Sequence, residues 1–296
     1  MRQELRDWKD QSLSQIARVE AEGVENRYNS ILAWLKVDES DQLSIFDSIS
    51  SEGDKYPGTC TWALNNKKIR SFLQQGPSKP VLWLQGNAGS GKSVMVTQLV
   101  KFLRSSNMFA VCHICAHSYP TSGMYEQILR SLLLQILRRD NEFIAHVHDE
   151  YVLGKKSPTL SSLERLLQTL LVNYGESLQH VDHIWIAIDG LEECETDKQT
   201  NIINLVNRIT SKITSHGSTM CKFLISSRFS QMVSDRLDRK MIVSFTEEKK
   251  QLEMAIREYT SQRLRGLHQI LHQLVVGQED LEQIEGQIAQ KSDGKF

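Results

Sequence analysis

Eight consecutive residues, Gly86-Asn87-Ala88-Gly89-Ser90-Gly91-Lys92-Ser93, satisfy the spacing G-x-x-x-x-G-K-[ST] in full. These residue types suit one chemistry. Phosphate oxygens are held by a ring of backbone N–H groups, which side chains would block and glycines leave open. Lys92 is placed to reach β- and γ-phosphates, and the Ser93 hydroxyl to take Mg²⁺. Val94 continues into a helix whose N-terminus carries partial positive charge. The apolar run LWLQ before the loop reads as a buried strand, and SVMVTQLVKFLRSS after it as a helix. Together they would hold the loop rigid.

A second constellation lies about a hundred residues on, in HIWIAIDGLEECE. A hydrophobic strand ends in Asp189, which in such proteins holds the metal from the second side. Glu192 and Glu193 follow within one turn, and either could orient or deprotonate an attacking water. A third is KFLISSR, an apolar strand ending in Ser226, Ser227 and Arg228. If its strand lies between the two others, Arg228 faces the terminal phosphate as a sensor that stabilises charge. By contrast, Cys112 and Cys115 in CHICAH have the C-x-x-C spacing but no second pair of ligands nearby. Buried strand cysteines are expected there rather than a zinc site. His146 and His148 are expected on a helix surface.

These residues need a scaffold, and the remaining pattern supplies one. From residue 80 onward, short apolar runs (PVLWLQ, MFAVCHICAHS, HIWIAID, CKFLISS, KMIVSF) alternate with amphipathic segments such as MYEQILRSLLLQILRRD and NIINLVNRITSKITSH. Strands alternating with helices predict an α/β fold with a parallel sheet covered on both faces. Residues 1–36 read as helix with a narrow apolar stripe, which needs a partner surface here or elsewhere. Residues 38–58, rich in Ser, Asp and Gly, read as a connector. WALNNKKIRSFLQQG reads as one short helix, and the text after 246 is helical and polar. The boundaries expected are a helical linker region over 1–55, an NTPase core over 56–245 and a helical arm over 246–296. The closing KSDGKF does not resemble a finished domain edge, so a chain cut from a longer one is expected.

The 296 residues are 40% hydrophobic and 24% charged, with a formal net charge of -1. Such a balance gives no electrostatic footprint for nucleic acid or a membrane surface. The N-terminal MRQELRDWKDQ is charged and carries no secretory signal, and no apolar run is long enough to span a bilayer. The five cysteines show no disulfide rhythm, which fits a cytoplasmic protein.

The three constellations together resemble the NACHT domains of the STAND class of P-loop NTPases. Gly190 directly after Asp189, with an acidic pair at Glu192 and Glu193, carries the resemblance, and ILAWL (31–35) and YPGTCTW (56–62) resemble the fungal, heterokaryon-incompatibility branch. The same region is called the nephrocystin-like N-terminal domain. The resemblance covers about residues 30 to 296. It implies a three-layer αβα sandwich with five strands ordered 5-1-4-3-2, and bound ATP or ADP with Mg²⁺. It also implies a nucleotide switch that leads to self-association or engages a downstream effector domain. By the same analogy Gly58 and Thr59 lie near the adenine. Departures are Glu192 where aspartate is usual, Ala255 where aspartate is frequent and Lys295 where methionine is typical. No winged-helix segment or repeat array follows within the sequence.

The leading expectation is a signalling NTPase with weak ATPase activity, as in fungal NLR-like receptors. A second is an interaction scaffold that binds nucleotide without turnover and acts through its N-terminal helices. A small-molecule kinase is disfavoured, since no acceptor pocket or lid arginine cluster is apparent and the acidic pair points to water as acceptor.

Overall fold

A computed structural model describes residues 20–37, 40–74, 79–177, 183–216, 220–266, 283–284 and 286–288. The stripe expected over 1–19 and the segment around Lys295 lie outside them. In chain order the elements are helix α1 over 20–35, α2 (Ser40–Lys55), α3 (Thr61–Asn65), α4 (Lys67–Leu73), β1 (Val81–Gln85), α5 (Lys92–Ser105) and β2 (Phe109–Ile114). There follow α6 (Tyr125–Leu137), α7 (Asn141–Val147), a π-helical turn (His148–Leu153), α8 (Leu160–Ser177) and β3 (His183–Asp189). The last elements are α9 (Thr196–His216), β4 (Met220–Ser227), α10 (Gln231–Arg236), β5 (Lys240–Ser244) and α11 (Lys249–Gly266).

The chain divides into two compact units. One comprises residues 1–38 and 129–170. Within it the Trp34 indole N–H donates to Lys156 O at 2.6 Å, and the Trp34 and Tyr151 rings meet edge-on at 5.7 Å.

The other unit, residues 39–128 and 171–296, holds the sheet. Its five strands are all parallel, in the order β2-β3-β4-β1-β5. Counted from the β5 edge this is the expected 5-1-4-3-2. Every residue of β1 and β3 is buried, so side chains of both faces are covered, and the strands are continuous apolar runs rather than alternating ones. The α5 residues Met95, Val96, Leu99, Val100 and Leu103 recur at helical spacing and pack with Leu82, Leu84, Ala110 and Trp185 in one core.

Two sequence expectations change. The supposed connector contains the 16-residue helix α2. Its polar composition conceals Ile45, Phe46 and Ile49, which pack on the core. Tertiary burial of that stripe outweighs weak helix propensity. Gln98 of α5 reaches α2, its Nε2 donating to Ser50 O at 3.3 Å and to Asp54 Oδ1 at 3.2 Å. The single helix expected at 62–76 is broken at Asn66, whose side chain accepts from the N–H groups of Lys68 and Ile69 and so starts α4 afresh.

The register sets where strands end. Gln85 pairs with Ser227, and Ile188 with Ile225. Gly86, Asp189 and Ser226 therefore emerge together at the carboxyl edge of β1, β3 and β4, the edge where open parallel sheets bind ligands.

Candidate functional site

The loop after β1 is held at its base and open at its rim. Gly86 N–H donates to Ser227 O at 3.2 Å, and a Cβ at Gly86 would lie 2.5 Å from Ser90 Oγ and 3.2 Å from Phe245 Cβ. Gly89 (φ +75°) and Gly91 (φ +82°) take the left-handed conformation that side chains disfavour. Asn87, Ala88 and Gly89 are exposed, whereas Ser90 is buried. Lys92 is buried and folds back across the loop, its Nζ donating to Gly86 O at 2.9 Å and Asn87 O at 3.0 Å. The amine thus lies against the carbonyls at the start of the loop. Ser93 and Val94 follow in the first turn of α5, half-buried.

Asp189, the last residue of β3, is buried beside this turn. Its Oδ1 accepts from the Ser226 hydroxyl, and the same Ser226 Oγ accepts from Gly190 N–H at 3.1 Å. Its Oδ2 is buried with no hydrogen-bond partner among the described residues. Burial pushes the Asp189 carboxyl above the usual range. The Ser226 and Ser93 hydroxyls act against that shift, Glu192 adds to it, and Lys92 opposes it. An unpartnered buried carboxylate oxygen, with the Ser93 hydroxyl near enough to favour its charged form, is a donor set that fits a hard cation such as Mg²⁺.

Gly190 has φ +73°, and a Cβ there would meet Cys115 O at 2.4 Å. Only glycine permits the chain to reverse here into the 3₁₀ turn Leu191–Glu193. The turn separates the two glutamates that the sequence left as rivals. Glu192 is half-buried and directed inward, its Oε1 3.5 Å from Lys92 Nζ and 3.7 Å from Arg228 Nε. Glu193 is exposed. Arg228 follows β4, and the Ser227 hydroxyl that donates to its carbonyl at 2.8 Å accepts in turn from Trp83 Nε1 at 2.8 Å.

A cavity of about 240 Å³ adjoins the loop at Ser90, Gly91 and Val94. Its walls are mostly apolar and aromatic, with Tyr56, Cys60, Trp62, Phe245 and Tyr259 prominent. The Trp62 and Phe245 rings meet edge-on at 5.3 Å, and Tyr56 and Tyr259 at 4.5 Å. Thr59 lines this cavity, its hydroxyl donating to Tyr56 O at 2.9 Å. Gly58 lines neighbouring grooves instead. The aromatic walls were not foreseen. Tyr56 and Trp62 open and close the YPGTCTW segment, which only the family resemblance placed beside the loop, through Gly58 and Thr59. Phe245 and Tyr259 come from distant chain with no motif to mark them.

Among the described residues, no helix is long and apolar enough to cross a membrane. Residues 58–228 match the family described as Nephrocystin 3, N-terminal. The vegetative incompatibility protein HET-E-1 of Podospora anserina is 23% identical over 196 residues, covering 64% of this chain. The chain spans 14% of that relative's length. Among solved structures, a Drosophila ORC complex with GC-rich DNA and Cdc6 aligns over 79% of this chain and 35% of the other, with 9% identity and a TM-score of 0.37. C. elegans PCH-2 aligns over 82% and 51%, with 13% identity and a TM-score of 0.33. Neither likeness at that level bears on function. The family match runs from just before Thr59, through the glycine loop and Asp189, to Arg228, and on it the chain belongs to the nephrocystin 3 N-terminal family, the region that NACHT-type P-loop NTPases of fungal incompatibility proteins resemble.

Proposed function

We propose that this chain is the nucleotide-binding module of a signalling NTPase of the NLR type, taking ATP or ADP with Mg²⁺ and hydrolysing ATP slowly. The observation that carries the reading is the joint placement of the amide-lined loop, the buried Asp189 with its unpartnered Oδ2, and the contacts of Glu192 with Lys92 and Arg228.

Each group then has a role. The amides from Asn87 to Ser93 and the Lys92 amine bind the phosphate tail, and the aromatic cavity takes the base. Ser93 and Asp189 would hold Mg²⁺, which supplies charge neutralisation on the phosphate oxygens. Glu192 orients or deprotonates the attacking water, and Arg228 stabilises negative charge developing on the terminal phosphate. Glu192 stands between Lys92 and Arg228, the two cations that would meet the phosphate charge, and slow turnover suits a switch, which must persist in each state. Self-association and a downstream effector are the partners that fit such a switch, as the family resemblance implies.

Calorimetry with Mg²⁺ and ATP, ADP or GTP, on the parent and on Lys92→Ala, tests the reading. Heat of binding for the parent and an affinity loss of about tenfold or more for the variant are expected, since charge-assisted contacts to phosphate are strong. No heat with any of the three nucleotides overturns it. A single-turnover assay then separates slow hydrolysis from binding without turnover.

A further inference from the structure

The 3₁₀ turn that carries Glu192 ends at Cys194, and Cys194 Sγ lies 3.5 Å from Cys115 Sγ. Both residues are free thiols, and both are buried. Cys115 immediately follows β2 and is fixed to the site's backbone. Its N–H donates to Asp189 O at 2.9 Å, and its carbonyl is the atom against which Gly190 packs. Cys194 is held by Leu191 O, which accepts its N–H at 3.2 Å, and by Gln199, whose Nε2 donates to Cys194 O at 2.8 Å. The neighbours Glu193 and Glu195 are exposed, so Cys194 is the sulfur nearer to solvent. Cys194 is thus the thiol that a peroxide from solvent meets first. Elsewhere, burial drives the thiols of Cys112 and Cys221 upward, which leaves them inert.

We propose that Cys115 and Cys194 are a redox-modification site, closed to a reversible disulfide by a hydroperoxide, that clamps the turn bearing Glu192. In the first step the Cys194 thiolate attacks one peroxide oxygen, the O–O bond breaks, and water or an alcohol leaves, giving a sulfenic acid. In the second the Cys115 sulfur, losing its proton, attacks the sulfenic sulfur. The S–S bond forms, the S–O bond breaks, and a water leaves. Two electrons pass from the thiol pair to the peroxide, and a dithiol such as dithiothreitol returns them.

The sulfurs have to close from 3.5 Å to about 2.05 Å, and because Cys194 stands two residues from Glu192, any backbone shift that accompanies closure passes to the turn that carries the glutamate. A misplacement of about 1 Å at a catalytic group costs up to about 10²-fold in rate. The chemistry of the pair stands without the proposed function, whereas the effect on turnover rests on it.

The test treats the protein with limiting hydrogen peroxide, alkylates the remaining thiols under denaturing conditions and maps the peptides by mass. A cross-linked peptide joining Cys115 to Cys194 is expected in the parent and in Cys112→Ser, and none in Cys194→Ser or Cys115→Ala. Cross-linking to another cysteine, or only over-oxidation at Cys194, overturns the site, and this readout needs no nucleotide and no refolded variant. ATP turnover is measured on the same oxidised sample. A fall of about tenfold or more, reversed by dithiothreitol, supports the clamp. An unchanged rate in a fully cross-linked sample overturns the regulation. If the reduced parent shows no turnover, the hydrolysis part of the proposed function fails instead, and the peptide map still decides the disulfide.

Discussion

Glu192 Oε1 lies 3.5 Å from Lys92 Nζ, so the loop lysine and the acidic turn, a hundred residues apart in sequence, meet across the site. Glu193 has the same chemistry but points to solvent. Glu192→Gln is therefore expected to lower ATP turnover by about 10²-fold while keeping nucleotide binding. Glu193→Gln should change the rate less than about threefold, as a solvent-facing group outside the charged centre. Parallel turnover and affinity measurements on the two variants decide between them, and the reverse pattern would reassign the roles.

Ser226 is a positioning residue. Its hydroxyl supports both Asp189 Oδ1 and Gly190 N–H. Ser226→Ala leaves two buried polar groups unpaired and should cost about 1–3 kcal/mol in denaturant unfolding. Because Asp189 loses its orientation, the Mg²⁺ concentration for half-maximal nucleotide binding should also rise. Ser226→Thr restores the hydroxyl and should recover much of both effects.

Gly190→Ala tests the reversal of the chain after β3. A left-handed φ and a Cβ at 2.4 Å from Cys115 O combine strain with a clash, so a loss of about 3 kcal/mol or more is expected. Circular dichroism through a thermal melt reads this directly.

His113, buried in β2, places its Nε2 2.8 Å from Ser122 O, a carbonyl that can only accept. Nε2 therefore carries a proton, and burial keeps the ring neutral above about pH 4. Burial lowers its pKa to about 4, with the Ser122 contact pulling the other way. The unfolded chain binds a proton near pH 6.5 that the folded chain does not bind until about pH 4. Stability should thus fall as pH drops through that window, by about 3 kcal/mol in total. His113→Gln should flatten the profile between pH 6.5 and 4, as measured by urea midpoints at stepped pH.

The parallel sheet and the glycine loop between β1 and α5 were legible because their signals are local: glycine spacing, apolar runs, an aspartate at a strand end. The strand order followed from the resemblance that those motifs carry. What was not legible depends on packing between distant segments. Helix α2 has a polar composition, and only its docking on α5 shows that Ile45 and Ile49 form a buried face. The preference between Glu192 and Glu193 depends on how Gly190 turns the chain. The contact between Cys115 and Cys194 needs two segments 79 residues apart to be brought together. Lys222 interrupts an apolar strand, yet it is fully buried because its amine donates to Phe72 O at 2.8 Å and to Gln74 O.

The cavity beside the loop draws Tyr56 from the chain before β1 and Tyr259 from α11, and Gln262 Nε2 in the same helix donates to Pro57 O at 2.8 Å, across 205 positions of sequence. Such a long-range closure is among the last events available to a growing polypeptide. A ribosome-bound chain that has made the glycine loop but not yet α11 lacks one wall of this cavity, so on the proposed reading a base would find its seat complete only after the far helix has emerged and docked.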